Sequence, residues 1–302
     1  MTAVAQVSRP FSLAAYVADR LEMLRLGDTV PYLTLFLAVV FPFTWWPYSL
    51  VSKVALLTVL LFPSAVRTSV LWGVMAATAT VTVAREWDLA DNHKYLLCYW
   101  LWVMCISHIP KDREFQDRII RFNARFFLIF IFLGAALQKF FSTTYMSGAM
   151  FEMELLLDQR FHAFSHLVGV DSALAQESVR RLLLLQNPYV QVADNYIRLV
   201  SDDHVHRVAT LVTLYDLYVQ VAIGALLIFC RRATDIAAHI LLLFFILTTY
   251  IPAPVFGFGV TLGVMGFALA QERFQRISGA YLLSIVAVLA YELPWRDWVL
   301  GT

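Results

Sequence analysis

Long apolar runs alternate with short charged segments along most of the chain. A helix that crosses the hydrocarbon core of a bilayer needs about 20 mostly apolar residues. Runs of about this length predict eight or nine transmembrane helices, because Pro42, Pro47 and Lys53 leave the first stretch as one broken span or two. The predicted spans cover roughly residues 31–46, 48–66, 68–84, 93–109, 124–142, 208–229, 236–251, 255–271 and 278–292. Because the alternation typical of a β-barrel does not recur, the predicted fold class is an all-α polytopic membrane helix bundle.

The composition supports a membrane protein. Hydrophobic residues make up 60% and charged residues 15% of the 302 residues, against about 45–50% and about 25% in soluble domains. These values exclude a disordered protein, a coiled coil, a disulfide scaffold and an ordinary soluble enzyme. The net charge is 23 − 22 = +1, which gives no basic excess for a phosphate backbone. Nucleic acid is therefore excluded as a partner.

Basic residues are unevenly distributed between the short loops. With nine spans, one side of the membrane receives the N-terminal arginines and most loop arginines and lysines, which marks it as cytoplasmic. That side holds Arg9, Arg20, Arg25, Arg67, Lys111, Arg113, Arg118, Arg121, Arg231, Arg232, Arg273 and Arg276, and the opposite side holds Lys53, Arg85, Lys94 and Arg296. The first 30 residues contain no apolar signal-peptide core, so no cleavable leader is predicted.

One connection is much longer than the others. Residues 143–207 separate two predicted spans and fall on the external side. Apolar patches at Phe151–Leu157 and Leu182–Leu185 have helical spacing, which predicts interfacial or re-entrant helices that cap the outer face. The chain is thus expected to be a single transmembrane domain, 1–302, with an external insertion at 143–207.

Lys139 is the foremost candidate for chemistry. It follows an uncharged apolar run, and no carboxylate lies three or four residues away to neutralise it. Its partner must come from another helix, or the amine must lose its proton and become a competent general base. Asp216, two turns inside a later span, is the candidate counter-charge. The structural alternative is a lysine at a helix end whose amine reaches the headgroups.

A second polar cluster, Asn92-His93-Lys94-Tyr95, opens the span that ends near residue 109. The predicted topology places this helix start and the end of the Lys139 helix on the same external side. Asn92 and His93 offer oriented donors and acceptors for a polar ring or a carboxylate. The alternative is a helix cap formed by Asp91 or Asn92, followed by a surface histidine.

Histidine pairs do not predict a metal site. His162 and His166 are four residues apart but lack the glutamate of a zincin motif, and His204 and His206 lie in a polar, acidic segment. No metal cofactor is therefore expected. His239, toward the cytoplasmic end of its helix, is expected to be structural.

The polar motifs resemble a known membrane family. The resemblance is carried by Trp87, the run Asn92-His93-Lys94-Tyr95-Leu96, the helix Phe130–Lys139 and Tyr145-Met146-Ser147-Gly148, with Arg67 upstream. These residues are similar to the HTTM domain, the membrane domain of vitamin K-dependent γ-glutamyl carboxylase and its bacterial relatives. The resemblance extends roughly from Tyr48 to Gln271.

The resemblance implies a function. The lysine that matches Lys139 acts as a base on reduced vitamin K or menaquinone, which reacts with oxygen to form an epoxide. The strong base formed on the way removes a proton from a peptide glutamate, which then captures carbon dioxide. Asn92, His93, Tyr95 and Gln138 are the implied quinol-binding residues. The implied location is the bacterial inner membrane, with the active site external, and the implied partners are a lipidic quinol, membrane lipids and a secreted peptide.

The chain also departs from the carboxylase pattern. Residues 143–207 are far smaller than the carboxylase's luminal domain, Gln138 replaces a second lysine and Tyr145 replaces a tryptophan. The run from Leu247 to Pro252 lacks a histidine and an asparagine of the carboxylase. Oxygenation without carboxylation is consistent with these losses. Two alternatives stay open: a non-catalytic HTTM protein that binds a small peptide for maturation or export, and a transporter that couples Lys139 to Asp216.

Overall fold

The computed structural model describes residues 26–41, 43–88, 90–186, 199–252, 255–271 and 273–292, and within these ranges it contains helices and no β-strand. The all-α prediction is confirmed for this part of the chain. The predicted absence of a leader, and the contributions of Arg9, Arg20, Arg25 and Arg296 to the predicted orientation, lie outside the described residues.

Thirteen α-helices follow one another within the described ranges. They are α1 (Leu26–Val40), α2 (Trp46–Leu61), α3 (Ser69–Arg85), α4 (Asn92–Ser107), α5 (Arg113–Phe140), α6 (Thr143–Met146), α7 (Ala149–Leu157), α8 (His162–Leu167), α9 (Ser172–Gln186), α10 (Asp203–Ile228), α11 (Arg232–Tyr250), α12 (Phe256–Ala270) and α13 (Gln275–Glu292). Short 3₁₀ helices cover Pro63–Arg67 and Gln159–Phe161.

Three of the described helices are long and apolar enough to cross a membrane: α5, α10 and α11. Five shorter apolar helices of 10–17 residues match other predicted spans. The first apolar stretch forms two helices, α1 and α2, with Pro47 in the first turn of α2, where a missing N–H is tolerated. Helix α5 begins at Arg113, well before the predicted start near residue 124, because Glu, Gln and Arg side chains favour the helix and extend it beyond the apolar run.

The chain divides into two compact units. The first comprises Met1–Phe122 with Gly266–Leu283, and the second comprises Asn123–Met265 with Ser284–Thr302. In the first unit the Trp100 indole N–H donates to the Thr34 hydroxyl at 2.9 Å, and both residues are fully buried. At Gly266 a Cβ atom would lie 2.3 Å from the Tyr281 ring, so only glycine permits this contact between α12 and α13.

In the second unit, α5 packs against α10 and α11. A Cβ atom at Gly224 would lie 2.6 Å from the Leu133 side chain, which shows how closely α10 approaches α5. The rings of Phe132 and Phe245 meet edge to face at 5.3 Å between centroids and are almost fully buried. These contacts hold α10 and α11 against α5.

The described residues between 143 and 186 form short helices in the second unit, and α10 begins at Asp203. Gly148 has a φ of 79°, a left-handed conformation that favours glycine, and begins α7. Helices α7 and α10 bury a small apolar cluster that consists of Leu155, Leu156, Val170, Val205 and Ala209. The apolar patch predicted at Phe151–Leu157 is therefore helical and packs inward against the start of α10.

Large apolar side chains cover the outer faces of the three long helices. Exposed residues on these faces include Phe122, Phe126, Phe130, Leu137, Leu211, Leu214, Val221, Ile240 and Phe244. Soluble monomers rarely expose contiguous apolar surfaces of this kind. The three long helices are thus compatible with a membrane protein.

Candidate functional site

Lys139 and Asp216 form an ion pair within the second unit. Lys139 is in the last turn of α5, and its Nζ contacts Asp216 Oδ2 from the middle part of α10. The Asp216 side chain is 9% exposed and the Lys139 side chain 24% exposed. The partner of Lys139 thus comes from another helix, which was one of the options left open by the absence of a nearby carboxylate on its own helix.

Two further side chains donate hydrogen bonds to Asp216. The Tyr145 hydroxyl donates to Oδ2, and the Gln220 amide donates to Oδ1 at 2.8 Å. Tyr145 belongs to α6, directly after the Lys139 helix, and Gln220 lies one turn beyond Asp216 on the same face of α10. Asp216 therefore receives donors from two different helices and from its own.

The aromatic ring of Tyr145 also faces the cation. Lys139 Nζ lies 5.1 Å from the centroid of the ring, within the range of a cation–π interaction. Burial, together with the Asp216 carboxylate, raises the pKa of the Tyr145 hydroxyl well above its usual value. Tyr145 therefore stays protonated at neutral pH and remains a donor to Asp216.

A cavity of about 350 Å³ adjoins the ion pair on the Asp216 side. Most of its lining is apolar or aromatic, from α7 to α11: Phe151, Phe161, Phe164, Leu211, Val212, Tyr215, Asp216, Phe244, Thr248, Thr249 and Pro252. Asp216 is the one ionisable group apart from the Tyr215 phenol in this wall. The cavity has the size and lining of a small-molecule site, which is typically apolar with a few polar groups.

Two polar atoms near the cluster lack a hydrogen-bond partner among the described residues. They are Gln220 Oε1 and Thr249 Oγ1, and both are buried. Buried polar atoms are nearly always hydrogen-bonded in folded proteins. The Gln220 oxygen can therefore still accept a hydrogen bond, and the Thr249 hydroxyl can still donate or accept one; of the two residues, Thr249 lines the cavity.

The predicted residues of α4 belong to the first unit. Asn92 is exposed at the start of α4, and His93 Nδ1 lies 4.0 Å from Asp91 Oδ2. Asp91 occupies the N-cap position of α4, as the capping alternative predicted, but its side chain forms no capping hydrogen bond. The Tyr95 hydroxyl donates to the backbone carbonyl of Trp87.

Gln138 lies apart from the ion pair. Its side chain is exposed on α5, although it is adjacent to Lys139 in sequence. Neighbouring residues of a helix point about 100° apart, so the face of α5 that carries Lys139 toward Asp216 does not carry Gln138.

The histidine pairs do not assemble a metal-binding cluster. Within the described ranges, no group of three or more histidine, cysteine, aspartate or glutamate side chains could hold a metal ion. His206 Nδ1 contacts Glu152, and His204 Nε2 bonds to the Val168 carbonyl at 2.8 Å. These contacts join α10 to the helices of 143–207.

Sequence reasoning missed Gln220 and Thr249 and gave Tyr145 no role in the site. The spacing of Gln220, four residues after Asp216, was the available signal for that residue. Thr249 carried no comparable signal, because its relation to Asp216 depends on how α11 packs against α10. No protein-family model, curated protein or solved structure matches this chain.

Proposed function

We propose that this protein is an integral membrane enzyme of the HTTM type that deprotonates a reduced quinone for reaction with oxygen. The observation that carries the proposal is the Lys139–Asp216 ion pair beside an apolar cavity. An ionisable pair in a helix interface is costly to bury, and in membrane helices such pairs mark functional sites. An apolar cavity next to it suits a lipid-soluble substrate.

The proposed architecture is the polytopic bundle of eight or nine spans expected from the sequence. Helices α5, α10 and α11 are the long spans, and the shorter apolar helices complete the bundle. Residues 143–207 would form a cap on the external side. The proposed location is a bacterial inner membrane, with the ion pair near the external face.

Lys139 and Asp216 would act as one acid–base unit, because two strongly interacting groups share their proton changes. A hydroquinone supplies a weakly acidic hydroxyl and the electrons that reduce oxygen. In the form of the pair in which Lys139 is neutral and Asp216 protonated, the amine would accept the hydroxyl proton, and the ammonium so formed would stabilise the negative charge on the quinol oxygen. Tyr145 and Gln220 hold Asp216 in place through their hydrogen bonds. Asn92, His93, Tyr95 and Gln138 stay predicted quinol-binding residues.

Carboxylation of a peptide glutamate with carbon dioxide is a further proposed step. It requires an external peptide that reaches the same site. The α7–α9 region holds a second cavity of about 370 Å³ lined partly by Leu155, Leu156 and Val179, which offers an apolar surface to such a partner.

The test uses purified protein in nanodiscs with reduced menaquinone or reduced vitamin K. Oxygen uptake and quinone epoxide are measured for the wild type, for Lys139→Ala and for the matched control Lys53→Ala, which removes an exposed lysine of α2. We expect epoxide from the wild type and the control, and a loss of at least about 100-fold in Lys139→Ala, as for removal of a general base. Folded protein that consumes no oxygen with either quinol would overturn the proposal.

The second candidate is a non-catalytic HTTM protein that binds a small peptide for maturation or export. It is favoured by the cavity among α7, α8 and α9, because Asp216 is not one of the residues that line this cavity. In this case the Lys139–Asp216 pair is structural. Lys139→Met would then leave peptide maturation or export intact in cells, whereas the enzyme proposal expects the product to disappear.

A further inference from the structure

We propose that Met146, Met150 and Met153 form a binding site for a soft monovalent cation, Cu(I), on the surface of the second unit. Three of the chain's 8 methionines fall within residues 146–153. Their thioethers are a different class of ligand from the histidine, cysteine and carboxylate groups considered above. The site goes beyond the proposed function, because it shares no side chain with the Lys139–Asp216 pair.

Exposure separates these methionines from the others in the described part of the chain. Met146, Met150 and Met153 are 40%, 39% and 45% exposed. A methionine side chain is flexible and typically fills irregular gaps in a core. The remaining methionines of the described residues follow this rule and are 0% exposed: Met75, Met104 and Met265. Packing therefore accounts for the buried methionines and leaves the three exposed ones to be explained.

The three exposed side chains lie on α7 and on the turn that precedes it. Met150 and Met153 are three residues apart in α7, so they are neighbours on its surface. Met146 ends α6, and the left-handed turn at Gly148 joins α6 to α7. The Gly148 N–H donates to the Tyr145 carbonyl at 3.0 Å, which closes this turn. Each methionine has three rotatable bonds, so the three sulfurs can converge on one ion.

The opposite face of α7 is held against α10. Leu155 and Leu156 belong to the apolar cluster shared with α10, and Glu152 contacts a histidine of that helix. Successive residues of a helix are about 100° apart, so Met150 and Met153 lie about 160° and about 100° around α7 from Glu152. The contacts with α10 therefore keep these two methionines on the outer surface.

The type of ligand selects the ion. Thioether sulfur is a soft, neutral ligand that favours Cu(I). Mg²⁺ and Ca²⁺ require oxygen ligands, and Zn²⁺ is bound by thiolates, imidazoles and carboxylates. The two carboxylates of α7 are directed elsewhere, since Glu152 contacts His206 and Glu154 interacts with Asp158. Three thioethers without a carboxylate thus favour a soft monovalent cation over a divalent one.

The surface around Met146 is polar, which gives a cation access from water. Thr143, Thr144 and Ser147 are all exposed beside it. The competing occupant is bilayer hydrocarbon, because Phe140 and Phe141 at the end of α5 are also exposed. Contact with lipid requires only an apolar side chain, so leucine would serve as well as methionine. Cation binding requires the sulfur.

The test is NMR of the full chain in nanodiscs, with ¹³C label in the methionine methyl groups. The probe is Ag⁺, which has the charge and ligand preference of Cu(I) and is not oxidised by air. We expect the methyl signals of Met146, Met150 and Met153 to shift together and to saturate at one Ag⁺ per chain. The signals of the three buried methionines should stay unchanged and serve as internal controls. Zn²⁺ should shift none of the six.

Leucine variants measure the contribution of each sulfur to affinity. Leucine replaces methionine at nearly equal volume, so the fold and the apolar surface are retained. Loss of a residue that only supports a metal ligand costs about 10–100-fold in affinity, so Met150→Leu and Met153→Leu should each weaken Ag⁺ binding at least about tenfold. The matched control Met265→Leu, at a buried methionine, should leave the affinity unchanged.

Two results would overturn the proposal. The first is the absence of a shift in the three exposed methionine signals at saturating Ag⁺, which includes the case in which Ag⁺ binds only to cysteine thiols. The second is an affinity for Ag⁺ that is equal in the wild type, Met150→Leu and Met153→Leu. Either result would assign this surface to contact with lipid.

Discussion

Two ion pairs join α5 to the helices that follow it in the second unit, and they differ in their surroundings. Near the middle of α5, Arg125 Nη1 donates to Asp235 Oδ1 of α11 at 2.9 Å and to the Leu227 carbonyl at 2.8 Å. In the last turn of α5, Lys139 contacts Asp216. Fourteen residues separate the two cations, which is about 21 Å along a helix.

The difference lies in what each cation can do. The guanidinium of Arg125 stays charged in proteins, and its rigid set of donors suits structural roles. It bonds both to Asp235 and to the end of α10, so it closes the turn between α10 and α11. The amine of Lys139 can release a proton, and its partner Asp216 lines a cavity. An ion pair thus joins helices in the middle of α5, and a second ion pair in its last turn is a candidate reactive pair.

Replacing lysine by arginine, and arginine by lysine, at these two positions in separate variants should give the largest difference in oxygenation rate. Lys139→Arg keeps a positive charge beside Asp216 but removes a group that can give up its proton, so quinol oxygenation should fall by about 10²–10⁴-fold. Arg125→Lys should leave the oxygenation rate per folded molecule within about twofold. Initial rates of oxygen uptake measure both. Full activity in Lys139→Arg would remove the distinction between the two pairs.

Removal of each carboxylate in turn should lower the free energy of unfolding by different amounts for the two ion pairs. Asp235→Ala removes a carboxylate that is 1% exposed and leaves the Arg125 cation with the Leu227 carbonyl but no counter-charge, so the free energy of unfolding should fall by about 3 kcal/mol. Asp216→Ala should cost less, about 1–2 kcal/mol, since the more exposed Lys139 amine can turn toward water or headgroups. Unfolding in mixed micelles measures both values.

The control for this measurement is Asp88→Ala, which removes an exposed carboxylate from the first unit. Its effect should stay below about 0.5 kcal/mol, as for most surface substitutions. An equal loss of unfolding free energy in Asp235→Ala and Asp216→Ala would indicate that both ion pairs serve only to join helices.

Glu154 in α7 should make a smaller contribution to stability that depends on pH, and this contribution must be distinguished from that of the ion pairs. Burial, and then the neighbouring Asp158, raises the pKa of Glu154 to about 7. The folded protein therefore binds more protons than the unfolded chain between about pH 4.5 and 7, so stability should fall as pH rises through that window. Asp158, whose pKa is lowered to about 2 chiefly by a hydrogen bond from Arg160, acts only at lower pH.

The measurement is the melting temperature of the wild type and of Glu154→Gln at pH 5 and pH 8. The wild type should lose a few degrees at the higher pH, and the variant should lose less. Melting curves that fall equally in both proteins would assign the pH dependence to other groups.

The sequence indicated the two members of the ion pair better than it indicated the limits of the helices. Lys139 stood out because its charge ends a long apolar run. Asp216 stood out because its carboxylate lies two turns inside a later predicted span. Their contact was named only as one option, since hydropathy along a chain carries no information on which faces of two helices meet. The start of α5 at Arg113 was missed because an apolar run marks the span and not the amphipathic turns that extend it.

Composition and apolar periodicity by themselves determined that the described chain is all-helical and that long helices would expose apolar surface, because both depend on local side-chain properties. The tertiary structure decided the rest of the site. Gln220 reaches Asp216 along α10 itself, but Tyr145 meets Asp216 only because α6 lies beside α10, and Thr249 lies in the cavity wall only because α11 packs against α10. The physical reason is that a contact between two helices and an enclosed volume depend on which helix faces meet, and no single helix contains that information.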